Sequence, residues 1–102
     1  MKYYLCKYVP PRSDFLATMS EEECKWMKQH RVYLDKLLAQ GTVVAHGPVI
    51  DGAGGYGVSL FQIPDEMEIA DLTAEDPIMA NGVGHYEHFP MLNLSSHAPS
   101  GD

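Results

Sequence analysis

The sequence predicts an α+β fold of the ferredoxin-like type, with a four-stranded antiparallel sheet and the element order β-α-β-β-α-β. Runs rich in aliphatic, β-branched and aromatic side chains are typical of strands and cover residues 2–9, 42–50, 56–63 and 84–92. A long helical pattern separates the first two runs, and a shorter one separates the last two. The chain of 102 residues is expected to form one domain at 1–92 and a flexible tail at 93–102.

The composition disfavours several classes of binding partner and a membrane location. Fourteen acidic against seven basic side chains give a net charge of −7, which disfavours nucleic acid and anionic membranes as partners. No run reaches the roughly 18 apolar residues of a membrane span, and the N-terminal sequence lacks the apolar core and cleavage site of a signal peptide. We therefore expect a cytoplasmic protein whose cysteines, Cys6 and Cys24, are reduced.

The first strand and first helix have clear end signals. The strand at 2–9 stops at two prolines, and the segment 10–19 that follows is predicted to be a loop. Ser20 opens a helix, because Ser20 and Glu23 have the spacing of a capping box. Gly41 stands at the C′ position, where a left-handed residue ends many helices.

The helix between these signals is amphipathic and carries a histidine within its apolar stripe. At about 100° per residue, one face collects the side chains of Trp26, Met27, His30, Tyr33, Leu34, Leu37 and Leu38. His30 lies near the middle of that stripe, where a leucine would serve packing alone. It is therefore a candidate for a functional residue.

The second half of the chain begins with the strands 42–50 and 56–63, which a glycine-rich turn joins. Residues 64–74 are predicted to form a shorter helix that opens at Pro64 and Asp65.

A further helix-start signal precedes the last strand, 84–92. Asp76 is suited to the N-cap and Pro77 to the first helical position, with Gly82 ending a single turn.

The predicted sheet is apolar on both faces, since the first strand alternates Tyr3, Leu5 and Val9 with Tyr4, Cys6 and Tyr8. Two helices cover only one face of such a sheet, so the other face needs a partner. We expect a homodimer packed sheet to sheet.

Five histidines raise the possibility of a metal site, but their spacing does not support one. His85 and His88 are three residues apart on a strand, which places them on opposite faces. The sequence contains no H-x-x-x-H, C-x-x-C, nucleotide-binding or nucleophile-elbow motif. The sequence therefore predicts no metal site and no cofactor.

His30 has a structural and a functional interpretation. A core histidine is commonly hydrogen-bonded to a backbone carbonyl and does nothing else. A catalytic histidine needs a carboxylate that fixes its tautomer and stabilises the imidazolium. Asp76 is the candidate because it lies at a chain bend beyond the second helix, and an N-cap carboxylate can also accept a bond from an imidazole.

The mid-helix histidine followed by YLDKLLAQG, then HGPVID, a glycine-rich hairpin and EDPIMANGV resembles the YciI-like, YCII-related family over about residues 1–92. The resemblance implies a ferredoxin-like fold that forms a dimeric α+β barrel. It also implies an active-site histidine–aspartate pair, which corresponds to His30 and Asp76.

Four further residues are assigned to a substrate pocket. Gly47 and Pro48 match the family's Gly-Pro at the end of the second strand, and Asp51 matches the acidic turn after it. His46, next to them, is a candidate for holding a substrate oxygen, although an exposed or cross-strand histidine would also explain it.

These features predict an enzyme that moves a proton on a small cyclic or aromatic acid or phenol, in an elimination, isomerisation or other lyase-type step. His30 would be the base and Asp76 its orienting partner. The alternative is a non-catalytic dimeric module that binds a small metabolite or has a regulatory role. A monooxygenase of similar barrel shape ranks last, since the sequence carries no matching metal or substrate signature.

Overall fold

The computed structural model describes residues 1–97 of the chain, so the last part of the predicted tail, 98–102, lies outside the described residues. The strands are β1 (Lys2–Val9), β2 (Val43–Val49), β3 (Tyr56–Ile63) and β4 (His85–Met91). The helices are α1 (Phe15–Thr18), α2 (Glu21–Gln40), α3 (Ile69–Ala74) and α4 (Pro77–Ala80). Within residues 1–97, no helix is both long and apolar enough to cross a bilayer.

The strands form one antiparallel sheet in the order β2-β3-β1-β4, which confirms the predicted α+β class and its four-stranded sheet. β1 lies between β3 and β4, and Tyr8 is directly opposite Gly57 on one side and Tyr86 on the other. Directly opposite residues point to the same face of a sheet. Tyr8, Gly57 and Tyr86 therefore form one row on the face that the helices cover.

α2 begins and ends at the predicted residues. The Ser20 hydroxyl accepts a hydrogen bond from the Glu23 N–H at 3.1 Å, and the Glu23 carboxylate accepts one from the Ser20 N–H at 2.9 Å. At the other end, Gly41 has a φ of 80°, the left-handed conformation that glycine adopts without strain. Both ends were predictable because each signal lies within a few residues of the end it marks.

The segment 10–19, predicted to be a loop, contains the short helix α1. Phe15 is buried within it, and the N–H groups of Ala17 and Thr18 donate to the Asp14 carbonyl at 3.0 and 3.1 Å. Four residues do not hold a helix by propensity alone. The helical turn depends instead on the burial of Phe15 against the core, which a local pattern does not reveal.

The second predicted helix, 64–74, was placed too early, since α3 begins at Ile69. The Met67 N–H donates to the Pro64 carbonyl at 3.0 Å in an isolated turn, and Glu68 is then extended, with φ −105° and ψ 127°. That extended residue separates the turn from the helix.

Leu38 was also wrongly assigned to the buried face of α2, because it is exposed while Leu37 is buried. One residue along a helix turns the side chain by about 100°, which carries Leu38 away from the sheet.

The core beneath the helices has two parts. One part, around Leu34, Phe61 and Ile63, packs α2 on the centre of the sheet. The other surrounds Tyr8 with Phe15, Ile78 and Val83. A cavity contacts both parts, so the packing of the core also determines the walls of that cavity.

The start of α2 is tied to the preceding segment by an ion pair. The Arg12 guanidinium donates to both carboxylate oxygens of Glu23, at 2.7 and 2.9 Å. The hydrogen bonds from Arg12 and then from the Ser20 N–H lower the pKa of Glu23 to about 2.

Replacing this carboxylate changes the pH dependence of stability. The pKa of Glu23 is lower in the folded protein than its ordinary value of 4.5, so its contribution is present above that pH and is lost as the pH falls towards about 2. Glu23→Gln keeps a side chain suited to the capping box. We expect its free energy of unfolding, measured by urea titration, to fall less between pH 5 and pH 2 than that of wild type.

The control is Glu22→Gln, an exposed neighbour in the same turn of α2. It should retain the wild-type profile from pH 5 to pH 2, assayed by the same urea titrations. A Glu23→Gln variant with an unchanged acid profile would show that the ion pair adds nothing to stability.

Candidate active site

The candidate site is a cavity of about 410 Å³ between α2 and the β2–β3 side of the sheet. Residues of α2 form one wall, strand residues form the floor, and α1 and the β2–β3 turn contribute to its edge. Its volume falls in the range of small-molecule sites. Most of the lining is apolar, with a few polar groups that include His30, Arg31, His46 and Ser59.

His30 and Asp76 come together at this cavity. The Nδ1 of His30 lies 2.6 Å from the Oδ2 of Asp76, although the residues are 46 positions apart. The His30 side chain is 12 % exposed and lines the cavity, whereas Asp76 is 0 % exposed. The pair therefore has an accessible imidazole and an inaccessible carboxylate.

Three donors from three elements satisfy the Asp76 carboxylate. Oδ2 accepts from His30 Nδ1 and from the Tyr86 hydroxyl at 2.7 Å, and Oδ1 accepts from the Ile78 N–H at 3.1 Å. The bond to Ile78 is the predicted N-cap of α4. A buried carboxylate needs such partners because it has lost its water.

Two tyrosines pack around the His30 ring. The ring centroids of Tyr8 and His30 are 5.3 Å apart, and those of Tyr86 and His30 are 6.4 Å apart. Burial, followed by the charge of Asp76, raises the pKa of both phenols well above the ordinary value of 10. The Tyr8 hydroxyl donates to the Val83 carbonyl at 2.8 Å. Both hydroxyls therefore donate hydrogen bonds within the protein, Tyr8 to the Val83 carbonyl and Tyr86 to the Asp76 carboxylate.

His46 forms a second pair of the same kind. Its Nε2 lies 2.7 Å from the Oδ1 of Asp35, and the other carboxylate oxygen of Asp35 lies 3.8 Å from the Arg31 guanidinium. His46 lines the cavity, but the Asp35 carboxylate is 52 % exposed. Water screens this pair more than the buried one.

The other predicted pocket residues divide into two groups. Gly47 and Pro48 line the cavity, whereas Asp51 is not among its lining residues. The Asp51 carboxylate accepts from the N–H groups of Ala53 and Gly55 at 2.9 and 2.8 Å, and these bonds lower its pKa. Asp51 therefore shapes a turn in which Gly54 and Gly55 line the cavity.

The remaining histidines lie elsewhere. His88 is on the covered face of β4, hydrogen-bonded to the Thr73 hydroxyl at 2.9 Å, and burial lowers its pKa. His85 is on the opposite face beside Glu87. Across residues 1–97, no three histidine, cysteine or acidic side chains are grouped as metal ligands.

Sequence reasoning missed several residues of this site, among them Tyr86, Ser59 and Arg31. Tyr86 and Ser59 are brought to the site by strand pairing, opposite Tyr8 and His46 respectively. The alternation of side chains along each strand predicts which face of the sheet a residue lies on, but it does not predict which residues of other strands lie beside it. The only sequence signal for Arg31 was its position directly after His30.

The fold and the cavity define a small α+β protein with an accessible histidine held by a buried carboxylate. The family model described as YCII-related domain matches residues 1–94, so the chain belongs to the YCII-related family. This confirms the resemblance. No curated protein matches the chain.

One solved structure with the same fold is 5-chloro-2-hydroxyhydroquinone dehydrochlorinase (TftG) from Burkholderia phenoliruptrix AC1100, in complex with 2,5-dihydroxybenzoquinone. It is 12 % identical, with a TM-score of 0.62, and the match covers 94 % of this chain and 95 % of that one.

Substituting Asp76 tests whether it sets the tautomer of His30. In Asp76→Asn the side-chain oxygen can still accept from the Ile78 N–H, but the atom beside Nδ1 becomes an amide that donates a hydrogen bond. Nδ1 can then only accept, so the neutral ring should carry its proton on Nε2. We therefore expect the ¹⁵N NMR spectrum of the His30 ring at alkaline pH to change from the Nδ1–H tautomer in wild type to the Nε2–H tautomer in Asp76→Asn.

Asp35→Asn is the matched control, since Asp35 contacts His46 and not His30. It should leave the His30 tautomer as it is in wild type. If Nδ1 stays protonated in Asp76→Asn, Asp76 does not set the tautomer of His30.

Proposed function

We propose that this protein is a small-molecule enzyme in which His30 accepts a proton from an oxygen-bearing cyclic substrate, with Asp76 orienting the imidazole. One observation carries this proposal. A histidine on the wall of a 410 Å³ cavity is hydrogen-bonded through Nδ1 to a fully buried carboxylate. Such an arrangement is typical of general bases.

The hydrogen bond supports Nε2 as the ring nitrogen that accepts the proton. Because Asp76 accepts the Nδ1 proton, Nε2 carries the lone pair in the neutral ring. When Nε2 takes a proton, the positive charge of the imidazolium is balanced by the carboxylate at 2.6 Å. A general base placed in this way contributes about 10²- to 10⁴-fold to a rate.

The reaction class is a lyase-type or isomerisation step. In an elimination, Nε2 removes a proton from a ring carbon next to a carbonyl, and the C–H electron pair forms a double bond. The leaving group departs with the electron pair of its own bond. The step needs no external oxidant or reductant.

The lining of the cavity favours an acid or a phenol. Among residues 1–97, the ionisable side chains at the cavity include Arg31, His30 and His46, and no aspartate or glutamate is present. The apolar remainder suits a ring. The structural neighbour's hydroxyhydroquinone substrate belongs to the same chemical class and supports this choice.

A non-catalytic module that binds a small metabolite is the alternative. The cavity and the His46–Asp35 pair would serve binding alone. The Asp76 carboxylate favours an enzyme, because binding does not require a buried charge behind His30. Turnover by the wild-type protein distinguishes the two.

The base is tested by substitution in a turnover assay. Wild-type protein is supplied with 5-chloro-2-hydroxyhydroquinone, and chloride release and quinone absorbance are followed. We expect His30→Asn to lower kcat by about 10²- to 10⁴-fold while binding of 2,5-dihydroxybenzoquinone changes little. His85→Asn, an exposed histidine on β4, should retain full activity. Wild-type activity that survives in His30→Asn would remove His30 from the mechanism.

We also propose that two copies of the chain pack through the uncovered sheet face. Leu60, Leu5 and Phe89 are directly opposite one another across β3, β1 and β4, and Phe89 is 47 % exposed. Tyr3 and Met91 continue this apolar surface. Contiguous apolar patches of this kind typically mark protein contacts.

A charge at the centre of that surface should separate the copies. We expect wild-type protein to sediment at about twice the chain mass of 11.3 kDa, and Leu5→Glu to sediment as a single chain. Gln29→Glu, on the exposed side of α2, adds the same charge elsewhere and should sediment as wild type. A monomeric wild-type protein would contradict the dimer.

A further inference from the structure

Ser59 is a polar side chain at the cavity that proton transfer by His30 does not use. It lies on β3, is 2 % exposed and lines the cavity. Its hydroxyl has no hydrogen-bond partner within residues 1–97. Every fully enclosed polar side-chain atom of these residues does have a partner, so the Ser59 Oγ must reach the open space of the cavity.

Such a serine is unusual for the core face of a strand. An alanine would fit the same space without burying an unpaired hydroxyl, and an unpaired buried hydroxyl costs stability. A hydroxyl that faces a cavity at this position is suited to a ligand that supplies the missing partner.

The register of the sheet places Ser59 relative to the base. Ser59 and Gly57 are on the same face of β3 and are two residues apart, about 7 Å along the strand. Gly57 is directly opposite Tyr8, whose ring is 5.3 Å from the ring of His30. The floor therefore extends from Ser59 towards the His30 end of the cavity over about the length of a substituted six-membered ring.

Gly57 keeps this floor open. A Cβ at this position would lie 3.3 Å from the Cβ of Tyr8, closer than most such contacts. Without it, a flat ring can lie over the strand between Ser59 and His30.

His46 adds a second polar group at the same end, because it is directly opposite Ser59 on β2. Opposite side chains in an antiparallel pair have Cβ atoms about 5 Å apart. Since Nε2 of His46 faces Asp35, Nδ1 is the ring nitrogen left for other partners.

We propose that Ser59 binds an oxygen substituent of the substrate, and that the substrate is a six-membered ring with oxygens on opposite sides. One oxygen is held by Ser59 with His46 beside it, and the opposite side of the ring is presented to His30. This inference rests on the proposed function and adds to it the residue that selects the substrate. Ser59 would fix orientation, not move protons.

Stability gives a test that needs no ligand. Ser59→Ala should leave the thermal midpoint unchanged or raise it, because no internal hydrogen bond is lost. Ser20→Ala is the matched comparison, since the Ser20 hydroxyl accepts the Glu23 N–H and its loss should lower the midpoint. A fall in Ser59→Ala as large as that in Ser20→Ala would make Ser59 a structural residue and overturn the proposal.

Binding of 2,5-dihydroxybenzoquinone, measured by calorimetry, is the second test. We expect its Kd to rise about tenfold in Ser59→Ala, the effect of one hydrogen bond, and to stay near wild type in Ser20→Ala, which changes a serine outside the cavity. Equal affinity of wild type and Ser59→Ala would overturn the role of Ser59 and leave proton transfer by His30 intact. Absence of binding to wild type would overturn the substrate class, whereas loss of turnover in His30→Asn tests the base separately.

Discussion

The buried carboxylate of Asp76 is the constraint on which the rest of this structure depends. A charge with no solvent contact is stable only when hydrogen bonds replace its water, and removing one partner of such a group typically costs several kcal/mol. Its donors come from α2, from α4 and from β4, in the form of His30, the Ile78 N–H and Tyr86. The carboxylate therefore fixes the positions of three elements relative to one another. The same bonds that stabilise the fold also orient the histidine at the cavity.

The turn between α4 and β4 supports this arrangement from the other side. Gly84 has a φ of 79°, and a Cβ there would clash with the Val9 carbonyl oxygen and lie 2.7 Å from the Tyr8 hydroxyl oxygen. Only glycine allows this close approach. It brings Val83 to the Tyr8 hydroxyl at 2.8 Å, and Tyr8 in turn packs against the His30 ring. A backbone conformation far from His30 in sequence thus helps to determine where the imidazole lies.

The sequence predicts well those features that are encoded locally. Both ends of α2 and the N-cap of α4 were predictable because each signal lies beside the end it marks. The short helix α1 was not predictable, because it depends on burying Phe15 against distant residues. His30 was identifiable as a polar residue in an apolar stripe, and its contact with Asp76 was suggested by the family resemblance. Tyr86 and Ser59 are brought to the cavity by the pairing of strands that are far apart in sequence. The alternation of side chains along one strand does not predict that pairing.

The two histidines of the cavity show how an acidic protein can present a surface suited to oxygen-rich ligands. The chain has a net charge of −7, yet His30 and His46 each lie between the cavity and a carboxylate, Asp76 or Asp35. A ligand of the kind proposed would therefore meet imidazole nitrogens and not negative charge. The two pairs differ in solvation, since Asp76 is buried and Asp35 is half exposed. Coulomb interactions are stronger where water is excluded, so the His30 pair is suited to stabilising a charge that forms during a reaction. The His46 pair, which water screens, is suited to binding an oxygen that carries its charge throughout.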